Sequence, residues 1–460
     1  MPDLKASISG VRAIVGESLT PQLVSDYVLA YVMAIGVLNN SSQTSNTVAI
    51  GMDSRSSGAM LRHAIIATLM AAGITPLDLG IVPTPTVLFT VRQEKLAGGL
   101  IITASHNPVQ WNGLKFVSPE GRFLNQTEWD QVEKNCHKKQ FTFAKHNGLG
   151  QYRSVGNPGD NHVKACLSLI DTEKIKKQNF KVALDPVNGA GCVLAKSLLN
   201  SLGCEVIAIY DDPSREFQRG AEPIPENLSD LKDLVTKNNC HIGFALDPDA
   251  DRLALVSDEG VAIGEEYTLA LSVKAYLSEN KSDIGCNIST SRMIDDIATE
   301  FGVKVHRSAV GEINVVETMT KYSCQIGGEG NGGVIIPAVN SGRDSLVAIC
   351  MILKALADSG KSLSQLTKEI TSYHFIKDKM TVGNTSIQDI YSKIKEVYAT
   401  ESISDIDGIK IDFESSWVQV RESNTEPIIR IFAEAKSLSE AKDKVNEFKK
   451  LCQSVVDSSR

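Results

Sequence analysis

Val48-Ala49-Ile50-Gly51-Met52-Asp53-Ser54-Arg55 reads as a buried strand running into a polar turn, and an apolar helical stretch follows from Met60 to Ala72. Strand, turn and helix in that order signal βαβ units on a mostly parallel sheet. The same sequence of events returns downstream. Phe180-Lys181-Val182-Ala183-Leu184-Asp185 runs into Pro186-Val187-Asn188-Gly189-Ala190-Gly191 and another helix. Gly243-Phe244-Ala245-Leu246-Asp247 and Gly285-Cys286-Asn287-Ile288-Ser289-Thr290 repeat the strand-then-polar-loop pattern. The letters differ but the kind is constant, so similar α/β modules stand in series. Nearer the start, Thr20 and Pro21 open a helical pattern to Leu38 as N-cap and first-turn residue.

Four polar loops at the ends of apolar runs carry the chemistry. Gly98-Gly99-Leu100-Ile101-Ile102 delivers Thr103-Ala104-Ser105-His106-Asn107-Pro108, where the Asn-Pro pair marks a turn and Ser105 presents a hydroxyl. A serine there can also simply cap a helix or close the turn. Trp111 to Phe116 then turns into another strand whose Lys115 folds back toward Ser105, a proton-transfer or charge-neutralising candidate.

The second loop is Asp247-Pro248-Asp249-Ala250-Asp251-Arg252. Alternating aspartates in an extended segment point to one side. Three converging carboxylates need a cation between them, and an all-oxygen set suits a hard ion such as Mg²⁺. An EF-hand fits poorly, because its sixth-position glycine would be Arg252 and its twelfth-position glutamate Asp258.

Gly328-Glu329-Gly330-Asn331-Gly332-Gly333 contains Gly-x-Gly-x-x-Gly, but β-branched residues and Pro337 follow instead of the helix that a dinucleotide site requires. The last loop, Arg421-Glu422-Ser423-Asn424-Thr425-Glu426-Pro427, joins a guanidinium fork to hydroxyl and amide donors suited to phosphate oxygens, although Ser-Asn-Thr is also an ordinary turn. Arg430 can join it across a strand.

At 460 residues the chain exceeds one core, and about three or four domains are expected. Its 42% hydrophobic and 22% charged residues are ordinary for a globular protein. A formal charge of −8 argues against a general nucleic-acid or anionic-membrane partner. Nine scattered cysteines without a Cys-x-x-Cys pair indicate a reducing compartment. The start lacks signal-peptide character, and the apolar stretch Tyr27 to Leu38 falls short of the ~20 residues a membrane span needs, so a cytoplasmic location is expected.

Serine, triple-aspartate, Gly/Glu and Arg-Ser-Asn-Thr loops in this order resemble the α-D-phosphohexomutase family over nearly the whole chain. The resemblance implies an α/β fold: three similar α/β mixed-sheet domains in series and a smaller α+β C-terminal domain, around a central cleft. The boundaries expected from the sequence are 1–154, 155–256, 257–371 and 372–460.

The resemblance also implies a phosphohexomutase. Phosphorylated Ser105 would exchange its group with O1 and O6 of a hexose through a 1,6-bisphosphate, one Mg²⁺ sitting on Ser105, Asp247, Asp249 and Asp251. Glu329 and Asn331 would meet sugar hydroxyls, while Arg421, Ser423, Asn424, Thr425 and Arg430 would hold the non-reacting phosphate, with the fourth domain closing as a lid. A phosphoserine of up to −2, three aspartates and a dication leave about −3 of charge, so Arg12, Lys115 and Arg252 are expected nearby, with His106 beside the serine.

The Thr-Ala-Ser-His-Asn-Pro and Glu-Gly-Asn-Gly-Gly loops, with Val310 to Val315, look most like the archaeal phosphoglucosamine mutase branch. The bacterial sugar loop has Ser and His where this chain has Asn331 and Gly333, which keeps phosphoglucomutase/phosphomannomutase activity as the alternative. Arg292, Arg307 and Glu312 can tune the choice or simply cap and solvate. Two rivals from other classes stand beside this: an aspartate-nucleophile phosphatase, which leaves Ser105 idle, and a silent sugar-phosphate-binding protein. Expected partners are small phosphosugars, with the oligomeric state open between monomer, homodimer and homotetramer.

Overall fold

The computed structural model describes residues 3–36, 45–383, 385–422 and 428–458. The chain forms two compact units, Met1–Asn280 with Gln325–Thr367, and Lys281–Cys324 with Lys368–Arg460.

The first unit holds a seven-stranded sheet of β1 (Lys5–Ser7), β2 (Gly10–Ile14), β3 (Thr47–Met52), β4 (Thr75–Ile81), β5 (Gly98–Ile102), β6 (Trp111–Val117) and β7 (Arg153–Ser154). Their spatial order is β1-β2-β6-β5-β3-β4-β7. β3 pairs parallel with both β4 and β5, whereas β6 pairs antiparallel with β5 and β2, so the sheet is mixed. Every residue of β3 and β5 is buried, as expected where helices cover both faces of a parallel sheet. The helix Pro21–Ala34 begins as its sequence dictates, Thr20 accepting from the Leu23 N–H at 3.2 Å with proline in the first turn. Arg153–Ser154, at the end of the first expected domain, adds β7 to the sheet edge.

A second sheet runs β11-β10-β8-β9, built from β8 (Lys181–Asp185), β9 (Glu205–Ala208), β10 (Ile242–Leu246) and β11 (Leu253–Ser257). β8 pairs parallel with β9 and β10, and β11 returns antiparallel. The first unit also contains the hairpin of strands Ile326–Glu329 and Gly333–Ile335 and the buried helix Ser345–Ser359. A strand, not a helix, follows the Gly-x-Gly-x-x-Gly run, as the β-branched residues dictate.

In the second unit, Ile284–Asn287 pairs parallel with Val305–Ser308. Residues from His374 onward make a five-stranded antiparallel sheet backed by helices Ile387–Val397 and Leu438–Ser458. That C-terminal helix runs on to Ser458, with Cys452 and Val456 both buried against the sheet. Among the described residues no helix is long and apolar enough to cross a membrane.

Candidate active site

The carboxyl ends of β3, β4, β5 and β10 deliver Asp53, Thr84, Ser105 and Asp247, the edge where open α/β sheets place their ligands. Ser105 is buried with φ +49°, a left-handed conformation that side chains other than glycine adopt only when their surroundings impose it. The surroundings are explicit. The Ser105 N–H donates to Thr103 Oγ1 at 2.8 Å, and Thr103 Oγ1 donates to Asp53 Oδ2 at 2.6 Å. Asp53 also pairs with Arg55, whose Nη2 donates to the carbonyls of Ser105 at 2.7 Å and Asn107 at 2.6 Å. One buried guanidinium thus clamps the serine turn from below. Burial pushes the Asp53 carboxyl up and Arg55 pulls against it.

The Ser105 hydroxyl lies 3.3 Å from Asp247 Oδ2 and 3.4 Å from His106 Nδ1. Asp247, Asp249 and Asp251 are fully buried and offer carboxylate oxygens within 4.8 Å of one another. Their convergence does not come from the strand alternation that the sequence suggested. The segment is a turn: Ala250 takes φ +52° and its N–H donates to the Asp247 carbonyl, while Asp247 Oδ1 accepts from the N–H groups of Asp251 and Arg252, each at 3.1 Å. Small Ala250 accommodates the left-handed bend.

The acidic charge is unevenly answered. Burial raises the Asp247 carboxyl well above the usual range, and Asp251 and Asp249 add to it. Burial pushes Asp249 and Asp251 the same way, but cations outweigh it and both end up lowered. Those cations are Lys115, at 2.7 Å from Asp249 and 3.2 Å from Asp251, and for Asp251 also Arg343 at 2.8 Å. Thr84 Oγ1 donates to Asp249 at 2.8 Å. Asp249 Oδ1 and Asp251 Oδ1 are buried without a hydrogen-bond partner among the described residues. Orphaned anionic oxygens of this kind call for a cation, so the triad fits a hard divalent ion.

The other expected residues fall as follows. Arg12, on β2, is largely buried, which lowers its pKa, and donates to Asn107 Oδ1 at 3.3 Å. Arg252 reaches Glu222 at 3.2 Å and stands 3.8 Å from Asp251. Burial, with Arg252 and Arg12 close by, brings the His106 imidazole down to about 3. Glu329 is buried; Arg343 donates to its Oε2 at 2.7 Å and Asn331 Nδ2 does so at 3.4 Å.

In the second unit, Arg421 pairs with Asp407 at 3.3 Å, and Arg430 is exposed directly opposite Arg421 on the neighbouring strand. Ser423, Asn424 and Thr425 lie outside the described residues. The guanidinium of Arg292 donates to the carbonyls of Phe413 and Glu414, and that of Arg307 to the carbonyls of Asn287 and Thr290. Both are therefore engaged in holding this unit together. Glu312 opens the helix Glu312–Tyr322.

Sequence reasoning missed Arg55, Thr84, Thr103 and Arg343. Arg55 had a signal, since it closes the first quoted stretch two residues after Asp53. Arg343 had none of its own.

A rigidly turned serine over a buried acidic triad, at the carboxyl edge of mixed α/β sheets, belongs to the phosphohexomutase class of fold and site. Residues 4–143, 160–260 and 265–373 match the phosphoglucomutase/phosphomannomutase alpha/beta/alpha domains I, II and III, and residues 377–451 match the C-terminal domain of that family. The chain belongs to the phosphoglucomutase/phosphomannomutase family, whose named relatives are hexose-phosphate mutases. It is 37% identical to a phosphoglucomutase/phosphomannomutase of Thermococcus kodakarensis, over 94% of this chain and 95% of that one. It is 32% identical to a phosphoglucosamine/phosphogalactosamine mutase of Sulfurisphaera tokodaii, over 96% and 98%. A phosphoglucomutase/phosphomannomutase family protein of Burkholderia thailandensis shares the fold, with a TM-score of 0.83 at 23% identity over 98% of each chain. The four-domain architecture expected from the loops is that of the family.

Proposed function

We propose that the chain interconverts hexose 6-phosphates and hexose 1-phosphates through a phosphorylated Ser105. The observation that carries this reading is the Ser105 hydroxyl at 3.3 Å from a buried aspartate triad with two orphaned oxygens. Asp247, Asp249 and Asp251 would hold Mg²⁺. Bound there, the ion supplies Lewis-acid charge that offsets the carboxylates and a transferring phosphoryl group.

The protein's own groups do the rest. Arg55, Thr103 and Asp53 fix the direction in which Ser105 Oγ points, which is what in-line transfer demands. In the first half-reaction the bond between phosphorus and Ser105 Oγ breaks as one forms to the free sugar hydroxyl, and the proton lost by that hydroxyl is balanced by the one Ser105 Oγ takes up to become a free hydroxyl. The resulting 1,6-bisphosphate turns over and returns its other phosphate to Ser105. Lys115, ion-paired to two aspartates, is held as an ammonium and suits charge neutralisation better than proton abstraction. Arg12 stands over the same turn as a further donor to phosphate. Glu329 and Asn331 would accept and donate to sugar hydroxyls, and Arg421, Ser423, Asn424, Thr425 and Arg430 would hold the distal phosphate.

We put glucosamine 6-phosphate first as substrate, on the Asn331 and Gly333 sugar loop. Glucose and mannose phosphates compete, since the 37%-identical relative carries that name. Nine cysteines, none in a disulfide, suit a cytoplasmic setting.

The test is a coupled isomerisation assay with Mg²⁺ and a trace of hexose 1,6-bisphosphate, comparing the three sugars in wild type and Ser105→Ala. Loss of more than about 1,000-fold in turnover is expected for the variant. Undiminished turnover would instead favour an aspartate nucleophile.

A further inference from the structure

Arg343 sits in none of the four loops, yet its guanidinium bridges two of them. Nη1 donates to Glu329 Oε2 at 2.7 Å in the sugar loop, and Nη2 donates to Asp251 Oδ2 at 2.8 Å in the acidic loop. The side chain is 9% exposed. Two charge-assisted bonds from one planar fork to two separate carboxylates fix a distance and an angle between them, which a single ammonium cannot do.

The arginine's root is as constrained as its head. Asp344 caps the helix Ser345–Ser359, accepting from the N–H groups of Leu346 and Val347, and its other oxygen lies 2.6 Å from buried His162 Nε2. Ser345 Oγ donates to the Ala250 carbonyl at 2.7 Å, inside the acidic turn itself. The backbone that launches Arg343 is therefore tied to the loop that its guanidinium serves.

The stem between root and head explains a feature of the sugar loop. A Cβ built on Gly333 would stand 2.1 Å from Arg343 Cδ and 2.7 Å from Cγ. Gly333 is not in the left-handed region, so its backbone needs no glycine. Its missing side chain leaves a passage that Arg343 fills, the two closest contacts being that stem and the third Asn331 Oδ1 at 3.1 Å.

We infer that Arg343 is a positioning residue of this site: threaded through the space Gly333 leaves, it locks the sugar-loop carboxylate Glu329 to the acidic-loop carboxylate Asp251, so that the sugar is held in register with the phosphoryl-transfer centre. The inference rests on the proposed mutase reading for its substrate. Its steric core, the pairing of Gly333 with Arg343, stands apart from that reading.

The experiment is a double-mutant cycle of Gly333→Ala and Arg343→Ala, read in two ways. The first is thermal midpoint. The second is calorimetric binding of glucosamine 6-phosphate and glucose 6-phosphate to the four proteins in a Ser105→Ala background, with the KM and kcat of the Ser105 forms alongside. Each single variant should weaken sugar-phosphate binding by about tenfold or more, the loss of a charge-assisted contact at one remove. The double variant should be little worse than Arg343→Ala, because the Cγ and Cδ atoms that the added methyl would strike are gone and only the looser 3.1 Å approach to Asn331 Oδ1 is left. Arg343→Lys should not restore binding.

Additive losses in both readouts would overturn the passage. A fall in thermal midpoint with binding, KM and kcat unchanged would reduce Arg343 to a structural salt bridge and overturn the positioning role. If the Ser105→Ala protein binds no hexose phosphate at all, the mutase reading fails by itself, and the thermal cycle alone then decides whether Gly333 and Arg343 are coupled.

Discussion

The two ends of the proposed reaction are built on opposite electrostatic plans. Around Ser105 most buried carboxylates other than Asp247 have a cationic partner within the first unit: Asp53 has Arg55, Asp249 has Lys115, and Asp251 has Lys115 and Arg343. These groups are buried, and burial is tolerable only because partners surround them. In the C-terminal sheet the arrangement is the reverse. Arg421 and Arg430 face each other on adjacent strands, Lys379 faces Arg430 from the other side, and Asp407 is the carboxylate within reach of Arg421. No carboxylate among the described residues pairs with Arg430. Like charges directly opposite across a sheet are destabilising, so under the proposed function this row would gain from a bound phosphate. On the proposed reading, the chemical centre is largely preassembled and the phosphate-recognition face is left electrostatically incomplete.

Breaking the preassembled side should cost most. Arg55→Met removes the clamp on the Ser105 turn and leaves Asp53 buried with Thr103 as its remaining side-chain partner. Breaking one side of a buried pair typically costs about 3–5 kcal/mol. A nucleophile displaced by about an ångström loses on the order of 100-fold in rate. Chemical denaturation and kcat at a temperature where the variant is folded would check both; wild-type kcat would show that the turn holds itself. Arg421→Ala acts on the incomplete side. It should raise KM by roughly 10- to 100-fold, the worth of a charge-assisted phosphate contact, with kcat little changed. Its stability should hold or rise slightly, because one of two facing cations is gone. A fall in kcat at constant KM would remove Arg421 from ground-state phosphate binding and blur the contrast.

The same contrast governs what the sequence could disclose. Motifs contiguous in the chain were legible, because a strand end followed by Ser-His-Asn-Pro or Asp-Pro-Asp-Ala-Asp keeps its chemistry within one loop. The means of convergence was not: alternation suggested a pleat, and the left-handed Ala250 made a turn. Arg343 was invisible because its partners lie 14 and 92 residues away, and only packing brings them together. The glycine at 333 was visible as a departure from the bacterial loop, but its meaning as a passage depends on a side chain from another element. The strand His374–Thr381 escaped for a different reason. It is an edge strand with no fully buried residue, so its hydrophobic alternation is faint.

The smallest effect lies in a buried amine of the C-terminal sheet. Lys410 is about 2% exposed, over the Trp417 ring at 4.7 Å and 3.3 Å from Asp412. Burial, reinforced by the charge of Arg307, brings its pKa down from 10.5 to about 8. A lysine depressed in the folded state binds its proton more weakly there than in the unfolded chain. Between pH 8 and about 10.5 the unfolded state therefore holds more protons, and stability rises with pH across that window. Full expression of the shift amounts to about 3 kcal/mol, and below pH 8 the protonated amine carries that cost. Lys410→Met should remove the rise, so the stability difference between variant and wild type should shrink as pH climbs from 8 toward 10. Buried cysteines titrate over the same range and pull stability the other way, but they do so equally in both proteins, so the difference isolates the lysine. A difference independent of pH would mean that Asp412 and the Trp417 face fully offset burial, and that the C-terminal sheet, like the Ser105 centre, has its inner charges already answered.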